Sequence, residues 1–279
     1  MGFSMSTREQ VASLDVEGWK PQTELGRKVK AREILDIDEI LDSGRTILEP
    51  EIVDMLLPAL SSDLLLIGQA KGKFGGGQRR IFRQTQKKTM EGNKPKFTAM
   101  AVVGDRNGHV GIGLGSAKET MPARTKAMRK AKINLFKIRR GTGSWEDASS
   151  EPHSIPFAVQ GKVGSVVLKL MPAPKGKGLV VEKEVAKVLE LAGIKNAWSK
   201  SFGQTKNKVN FIKALERALR KLSATRVQPH QAERLSILDG GAKPGEAGAP
   251  EPIVETAEEE RRPRRGRGRQ GRRGPPRRK

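Results

Sequence analysis

The chain has 279 residues, with 54 Lys or Arg against 31 Asp or Glu, so its formal net charge at neutral pH is +23. This length allows one large domain or two small ones. The absence of cysteine excludes disulfides, thiolate metal sites and a cysteine nucleophile, and three scattered histidines argue against a histidine metal site. No segment approaches the ~20 apolar residues that span a bilayer, and the N-terminal residues lack a secretory signal. We expect a soluble protein that binds a polyanion.

The positive charge is unevenly distributed along the chain. Residues 61–145 carry +15 and the last nineteen residues carry +11, whereas residues 14–60 carry −5 and residues 231–260 carry −6. The +15 lies in a region that otherwise looks folded. A folded basic surface is typical of nucleic-acid binding, because neutralised phosphates release their counterions. The alternative, an evenly solvated basic surface, normally carries nearly as many acids.

The pattern of the first half predicts helices, three antiparallel strands and a long helix. One helix face holds Ile34, Ile37, Ile40 and Leu41, and a second helix begins near Pro50. Strands are predicted at 63–69, 97–104 and 109–115, with a turn at 105–108 between the last two. A long helix is predicted from 120 to 138, with a buried stripe formed by Ala127, Met128, Ala131, Leu135 and Ile138.

The second half predicts another compact α/β unit. Its predicted strands are 155–161, 163–172 and 194–203, and its predicted helices are 181–191, closed by Gly193, and 207–222. The segment 240–279 is rich in Gly, Pro and like charges, so we expect a disordered acidic linker and an Arg/Gly tail. Whether the tail binds RNA or only adds solubility is left open.

Two basic segments are candidate RNA-binding elements. The predicted long helix and its exit contain no acid between Thr120 and Arg140, so a partner must supply negative charge. The segment 78–96 is predicted to be a long basic loop that enters a groove of structured RNA, and the alternative is a flexible, tolerated insertion. The predicted RNA-binding residues of the helix are Arg124, Lys126, Arg129, Lys130, Arg139 and Arg140, and those of the loop are Arg79, Arg80, Arg83, Lys87, Lys88, Lys94 and Lys96.

Neither the glycines nor the histidines predict a catalytic, cofactor or metal site. Gly111, Gly113 and Gly115 form G-x-G-x-G rather than a dinucleotide fingerprint, so they indicate close backbone packing or approach to a nucleic-acid backbone. The three histidines lack ligand or triad spacing, and we expect each at a surface or interface. Phosphoryl transfer needs a phosphate loop and a metal-holding acid, which the segment 172–178 lacks. We expect no enzyme and no cofactor.

Several long motifs resemble the small-subunit ribosomal protein S-five family. They are FTAMAVVGDRNGHVGIGLGSAKE at 97–119, RRGTGSW at 139–145, HSIPFAVQGKVGSVVLKLMPAPKGKGLVV at 153–181 and ELAGIKNAWSKSFGQTKNKVNFIKALERAL at 190–219. The segment GRKVKAREILDIDEIL at 26–41 resembles the archaeal and eukaryotic cytosolic type. The resemblance covers roughly residues 15–230. The segment between Ile67 and Phe97 is longer than usual for the family, and the Arg/Gly tail lies outside the family core.

This resemblance implies an α+β protein in two parts. It implies a double-stranded-RNA-binding-like α-β-β-β-α domain at 49–142 and a βαβ-containing C-terminal domain at 143–230, after an N-terminal extension with a helix at 1–48. Composition, and not the resemblance, predicts that the remaining residues 231–279 are a disordered acidic linker and Arg/Gly-rich tail. The resemblance further implies a cytoplasmic, ribosome-bound protein that contacts ribosomal RNA, proteins of the S-four and S-eight families and mRNA near its entry site, and that influences translational accuracy. Arg106, Lys162, Lys175 and Lys177 complete the predicted RNA-binding set.

Two other classes of function remain as alternatives. A free-standing double-stranded-RNA-binding protein would cover A-form RNA by shape with one domain and leave the second surface unused. An enzyme would need titratable groups gathered in a pocket, whereas the acids of this chain cluster away from the glycine motifs. Sedimentation of the protein with small ribosomal subunits separates the ribosomal role from the free-standing one.

Overall fold

The secondary structure mixes helices and strands along the whole described chain. The structure is a computed structural model that describes residues 19–70, 79–143 and 151–241. Its helices are α1 Glu24–Lys30, α2 Ile37–Asp42, α3 Pro50–Leu56, α4 Thr120–Ile133, α5 Lys183–Leu191, α6 Lys208–Ala224 and α7 Pro229–Arg234. Its strands are β1 Ser61–Leu65, β2 Arg83–Thr89, β3 Gly92–Gly104, β4 His109–Ala117, β5 Leu135–Lys137, β6 Arg139–Arg140, β7 Val159–Val163, β8 Val166–Pro172, β9 Leu179–Val180, β10 Ala197–Phe202 and β11 Leu238–Asp239. The predicted α+β class is confirmed.

The first sheet is organised around the long strand β3. One edge of β3 pairs antiparallel with β1 along residues 100–104 and with β2 along residues 92–98. Its other edge pairs with β4, and β4 pairs in turn with β5. The predicted turn at 105–108 joins β3 to β4, with Arg106 and Gly108 at positive φ. The three predicted strands are therefore present, and β2 and β5 are added to them.

The basic segment 78–96 is a β-hairpin over most of its length, and the prediction of a loop is corrected. Strand β2 and the first half of β3 pair residue by residue from Arg83 opposite Thr98 to Thr89 opposite Gly92. Gly92 has a φ of +111° at the turn, a conformation that glycine adopts without steric cost. Both faces of the hairpin are exposed, so the apolar alternation that usually signals a strand is missing.

The predicted helix 120–138 ends earlier than expected. Helix α4 stops at Ile133, Asn134 caps it, and the next residues form β5, where Leu135 pairs with Gly111 of β4. Leu135 and Ile138 are buried, as predicted, but they are buried outside the helix. The Asn134 amide donates to the Ile112 carbonyl at 2.9 Å, which ties the end of the helix to the sheet. Cross-strand pairing thus overrides the local helical pattern.

The glycines of β4 allow the backbone of α4 to lie directly on the sheet. A Cβ atom placed on Gly113 would meet the Ala131 nitrogen at 2.2 Å and the Ala127 carbonyl oxygen at 2.3 Å. Gly111 and Gly115 face the same helix in the same way, and Ala123, Ala127 and Ala131 are completely buried. This close packing accounts for the G-x-G-x-G pattern, and it confirms the packing interpretation.

The second sheet has the strand order β7-β8-β10-β9. β7 and β8 form a hairpin, and β10 pairs antiparallel with β8 and parallel with β9, so β9, α5 and β10 form the expected βαβ unit. Helix α5 is closed by Gly193 at a φ of +82°, as predicted. One hydrophobic cluster includes Met100 and Val102 of the first sheet and Leu168 and Leu170 of the second. Both sheets therefore contribute to a shared core.

Residues 231–241 are structured, contrary to the prediction that disorder begins at residue 231. They include the end of α7 and strand β11, which pairs antiparallel with β6. An ion pair between Arg139 Nε and Asp239 Oδ1, at 2.5 Å, joins the same two strands. The prediction for the Arg/Gly tail lies outside the described residues. None of the helices in the described ranges is both long and apolar enough to cross a membrane.

Candidate nucleic-acid interface

The hairpin formed by β2 and the first half of β3 carries most of its positive charge on one face. Directly opposed residues of an antiparallel pair share a face, and alternate residues along a strand point to opposite faces. The pairs Arg83–Thr98, Thr85–Lys96 and Lys87–Lys94 therefore lie on the same side. We call Arg83, Lys87, Lys94 and Lys96 the hairpin face. Lys88 belongs to the opposite side, opposite Asn93.

The hairpin face is only partly neutralised within the protein. Lys94 forms an exposed ion pair with Glu91 at 2.6 Å, and an exposed pair contributes little to stability. Lys87 lies directly opposite Lys94, and two like charges in this arrangement destabilise a strand pair. A bound polyanion would relieve this repulsion. The hairpin face is therefore suited to contact with phosphates.

An open groove of about 950 Å³ lies at the base of the hairpin. Its lining combines arginine and lysine with side-chain amides, which both donate and accept hydrogen bonds. The cations and amides are Arg79, Arg80, Arg83, Lys206, Lys208, Gln69, Gln84, Gln86, Gln204 and Asn207. The structure thus brings three of the predicted basic residues together with a segment of the second half of the chain. Such a lining fits the backbone of an RNA strand.

Sequence reasoning missed the contribution of residues 204–208 to this groove. Lys206 lies two residues before helix α6 and Lys208 is the first residue of that helix, where its Nζ forms an ion pair with Glu182 at 2.9 Å. Their proximity to Arg80 arises only from the way the two sheets pack together. The local signal was the pair of lysines where a polar connection meets the start of a helix.

The basic residues of α4 lie on two different flanks. Lys126, Arg129 and Lys130 are exposed, and the helical period places them on the same side. Arg124 lies on the other flank, near Asp63 of β1 and Lys187 of α5. We call Lys126, Arg129 and Lys130 the helix flank. The predicted basic residues of the helix therefore lie on two separate parts of its surface.

The expectation that only an external partner neutralises this helix and its exit is corrected. Lys132 Nζ pairs with Asp54 at 2.7 Å, and Lys137 pairs with Asp42. Both acids come from the N-terminal helices, which pack on α4 through the second hydrophobic cluster. The negative charge of residues 14–60 thus serves in part to neutralise cations inside the molecule.

Arg140 is an internal residue, and we remove it from the predicted RNA-binding set. Only 7% of its surface is exposed, and its guanidinium donates to the carbonyl oxygens of Asn107 at 2.9 Å and Gly240 at 3.4 Å. Burial lowers the pKa of Arg140, and the nearby charge of Asp105 opposes this effect. Arg106, two residues beyond β3, remains exposed.

The three predicted lysines of the second half are separate from the hairpin face. Lys162 is exposed on β7, and Lys175 and Lys177 are exposed in the loop after β8. Lys175 Nζ pairs with Glu151 at 2.8 Å, and its hydrogen bond and charge lower the pKa of that carboxyl. These three lysines are therefore exposed on parts of the surface outside the hairpin.

Two of the three histidines, each predicted at a surface or an interface, are buried inside the protein. His109 is 3% exposed, with Nδ1 2.5 Å from Asp105 Oδ2 and Nε2 2.8 Å from Asp38 Oδ1. His153 is also buried, and its Nδ1 lies 3.0 Å from Asn196 Nδ2. His230 is exposed, as expected. Within residues 19–70, 79–143 and 151–241, no group of three or more acids or histidines is placed to hold a metal ion.

Two family profiles match successive parts of the chain. The profile described as "Ribosomal protein S5, N-terminal domain" matches residues 81–139, and "Ribosomal protein S5, C-terminal domain" matches residues 161–233. The first match includes the hairpin and α4, and the second includes strands β8, β9 and β10 of the second sheet with helices α5 and α6.

Archaeal proteins named "Small ribosomal subunit protein uS5" are similar over most of their length. The protein of Nanoarchaeum equitans is 50% identical over 216 residues, which cover 77% of this chain and 93% of the relative. That of Methanocaldococcus jannaschii is 43% identical over 226 residues, covering 81% and 97%. That of Pyrobaculum aerophilum is 45% identical over 210 residues, covering 75% and 89%.

Proposed function

Since the chain belongs to the ribosomal protein S5 family, which its sequence motifs resemble, we propose that it is a structural constituent of the small ribosomal subunit. We propose further that it binds ribosomal RNA. The family resemblance found in the sequence motifs is confirmed. The family consists of structural, non-enzymatic proteins, which also confirms the expectation that this chain is not an enzyme. The observation that carries the RNA-binding proposal is the hairpin face, where four cations project from one side of two paired strands.

In this proposal the two matched regions have different tasks. The segment 49–142 acts as a double-stranded-RNA-binding-like domain, whose hairpin face, adjoining groove and helix flank contact phosphates of structured RNA. The segment 143–230 forms the C-terminal domain and completes the groove with Lys206 and Lys208. Lysine and arginine on rigid strands and helices hold the RNA in a defined position, because their backbones are fixed by the sheet.

The proposal includes the location and partners that the resemblance implies. The protein lies near the mRNA entry and the decoding region of a cytoplasmic ribosome, next to proteins of the S-four and S-eight families. There it contributes to translational accuracy, since a rigid basic protein near the decoding region favours one arrangement of the RNA over another. The long basic hairpin supports this part of the proposal, because its exposed strands present cations beyond the packed core.

Reconstitution with small ribosomal subunits tests the proposal. We expect the triple variant Arg83→Glu, Lys87→Glu, Lys96→Glu to bind ribosomal RNA at least tenfold more weakly and to be retained poorly in particles. Lys88→Glu is the matched control, because it reverses a neighbouring exposed lysine on the opposite side of the same strand. Its effect on RNA affinity should be clearly smaller than that of Lys87→Glu.

Two outcomes would contradict the proposal. Undiminished RNA binding by the triple variant would show that the hairpin face is solvated surface. Binding to duplex RNA without co-sedimentation with small subunits would favour the free-standing RNA-binding protein.

A further inference from the structure

The outer face of the second sheet alternates apolar and lysine side chains in three cross-strand rows. Residues such as Leu168 and Leu170 of β8 are buried, so the residues between them point outwards. The strand register then defines which outward residues are neighbours. The rows are Lys162, Val167 and Phe202; then Gln160, Lys169 and Lys200; then Met171, Trp198 and Val180.

Two aromatic side chains on this face are accessible to a ligand. Trp198 is 37% exposed and Phe202 is 56% exposed, and no other aromatic residue in the described ranges is as accessible as either. They lie on the same strand four residues apart, which corresponds to about 13 Å. Lys200 projects between them on the same face. Covering such an exposed ring with a flat apolar group is favourable, because it removes apolar surface from water.

The charge of this face is entirely positive. Its nine outward residues include Lys162, Lys169 and Lys200 and no acid, and none of these lysines has an ion pair within the part of the chain that the structure describes. Lys169 is directly opposite Lys200, so the pair repels unless an anion lies between the two ammonium groups. The face therefore favours a ligand that combines negative charge with flat aromatic groups.

We infer that this face binds unpaired RNA, with bases stacked on Trp198 and Phe202 and phosphates beside Lys162, Lys169 and Lys200. The inference rests on the proposed RNA-binding function for its class of ligand, but it uses no residue of the hairpin face. Aromatic residues interleaved with basic ones on a sheet are a general means of binding single strands. A protein partner fits less well, because the centre of a protein interface is depleted in lysine, whereas here lysines occupy the middle row.

Binding of a single-stranded uridine dodecamer to the full-length protein tests this inference. Stacking on an aromatic side chain strengthens binding by about fivefold to a hundredfold per base, so Trp198→Ala and Phe202→Ala should each weaken binding at least about fivefold. Trp198→Phe should retain most of the affinity, because it keeps an aromatic ring. Leu48→Ala is the matched control, since it removes a side chain that is 62% exposed elsewhere.

Parallel measurements separate this inference from the proposed function. Trp198→Ala should leave the affinity for a duplex RNA hairpin unchanged, whereas Lys87→Glu should weaken it. Thermal unfolding of each variant, expected to match wild type, shows whether the fold is retained. If Trp198→Ala and Phe202→Ala, both folded, bind the dodecamer like wild type, the inference is overturned while the proposed function stands.

Two further outcomes are equally decisive. If the hairpin variants leave duplex binding unchanged while Trp198→Ala weakens dodecamer binding, the inference stands and the proposed hairpin contact fails. If Trp198→Ala preserves all RNA affinities but reduces retention in small subunits, the face binds protein, and the inference is overturned.

Discussion

His109 Nε2 lies 2.8 Å from Oδ1 of Asp38, a residue 71 positions earlier in the chain. The same imidazole contacts Asp105 through Nδ1, so it joins α2 to the turn between β3 and β4. Burial lowers the pKa of His109, but hydrogen bonds and charges from Asp105 and Asp38 outweigh burial and raise the pKa to about 9. Burial raises the pKa of each carboxyl, but the His109 contacts lower both overall. At neutral pH the imidazole is therefore a cation between two carboxylates.

This arrangement predicts a decrease in stability at alkaline pH. The folded-state pKa of His109 is above its unfolded value of 6.5, so its stabilising contribution is complete below pH 6.5 and is lost as the pH rises through about 9. The two aspartates have lowered pKa values, so their contribution is present above pH 3.8 and is lost on acidification. Urea unfolding of wild type between pH 6 and 10 should show the alkaline decrease.

His109→Gln should remove that pH dependence and lower the free energy of unfolding at pH 7. Losing hydrogen bonds to charged groups costs about 1.5–3 kcal/mol per bond. His230→Gln is the control, because His230 is exposed and should leave the curve unchanged. If the free energy of unfolding decreased equally in wild type and His109→Gln between pH 6 and 10, another group would be responsible for the alkaline decrease.

Gly113→Ala should destabilise the packing of α4 on β4. The new methyl group would collide with backbone atoms of Ala131 and Ala127, which cannot rotate away. Forcing extra volume into a packed core costs about 1–3 kcal/mol, and a backbone clash lies at the upper end. Gly44→Ala is the control. A Cβ atom placed on Gly44 would meet no atom within 4 Å beyond its chain neighbours, so only the φ of +69° opposes the methyl group. Thermal unfolding should show the larger loss for Gly113→Ala.

The affinity for structured RNA should depend steeply on salt. Each neutralised phosphate of a duplex releases about 0.9 counterion, so the logarithm of the affinity falls linearly with the logarithm of the salt concentration. The triple variant of the hairpin face should reduce that slope by about 1 for each lost phosphate contact. Filter binding between 50 and 300 mM KCl measures the slope. A flat dependence in wild type would mean that phosphate contacts are not the main source of binding.

Charge reversal on the helix flank should weaken RNA binding without unfolding the protein. Lys126, Arg129 and Lys130 are exposed and lie outside the alanine stripe that packs on β4. We expect the triple Glu variant to lose at least tenfold in ribosomal RNA affinity, with a thermal unfolding midpoint close to wild type. Arg124→Glu, on the other flank, should have a clearly smaller effect than Arg129→Glu. Equal incorporation of the triple variant and wild type into particles would identify the flank as solvated surface.

Local sequence patterns were sufficient for much of the secondary structure. Pro50 begins α3 and Gly193 closes α5, because each of these positions has a backbone requirement that a particular residue meets. The unbalanced charge of residues 61–145 likewise predicted a basic surface before any fold was known. Such features depend on a residue and its near neighbours along the chain.

Only the tertiary structure decided which basic residues are available to a partner. Arg140 and Arg129 look equivalent in the sequence, yet Arg140 is enclosed by carbonyl groups from the 105–109 turn and the C-terminal segment, and Arg129 remains exposed. The outward rows of the second sheet also depend on strand register, which no local pattern reveals. The partners of His109 come from helix α2 and from the adjacent turn, and their effect on its charge exists only when these segments meet. Composition determined that the chain is basic, whereas long-range packing determined where that charge is free to act, because burial and pairing depend on residues that are distant in sequence.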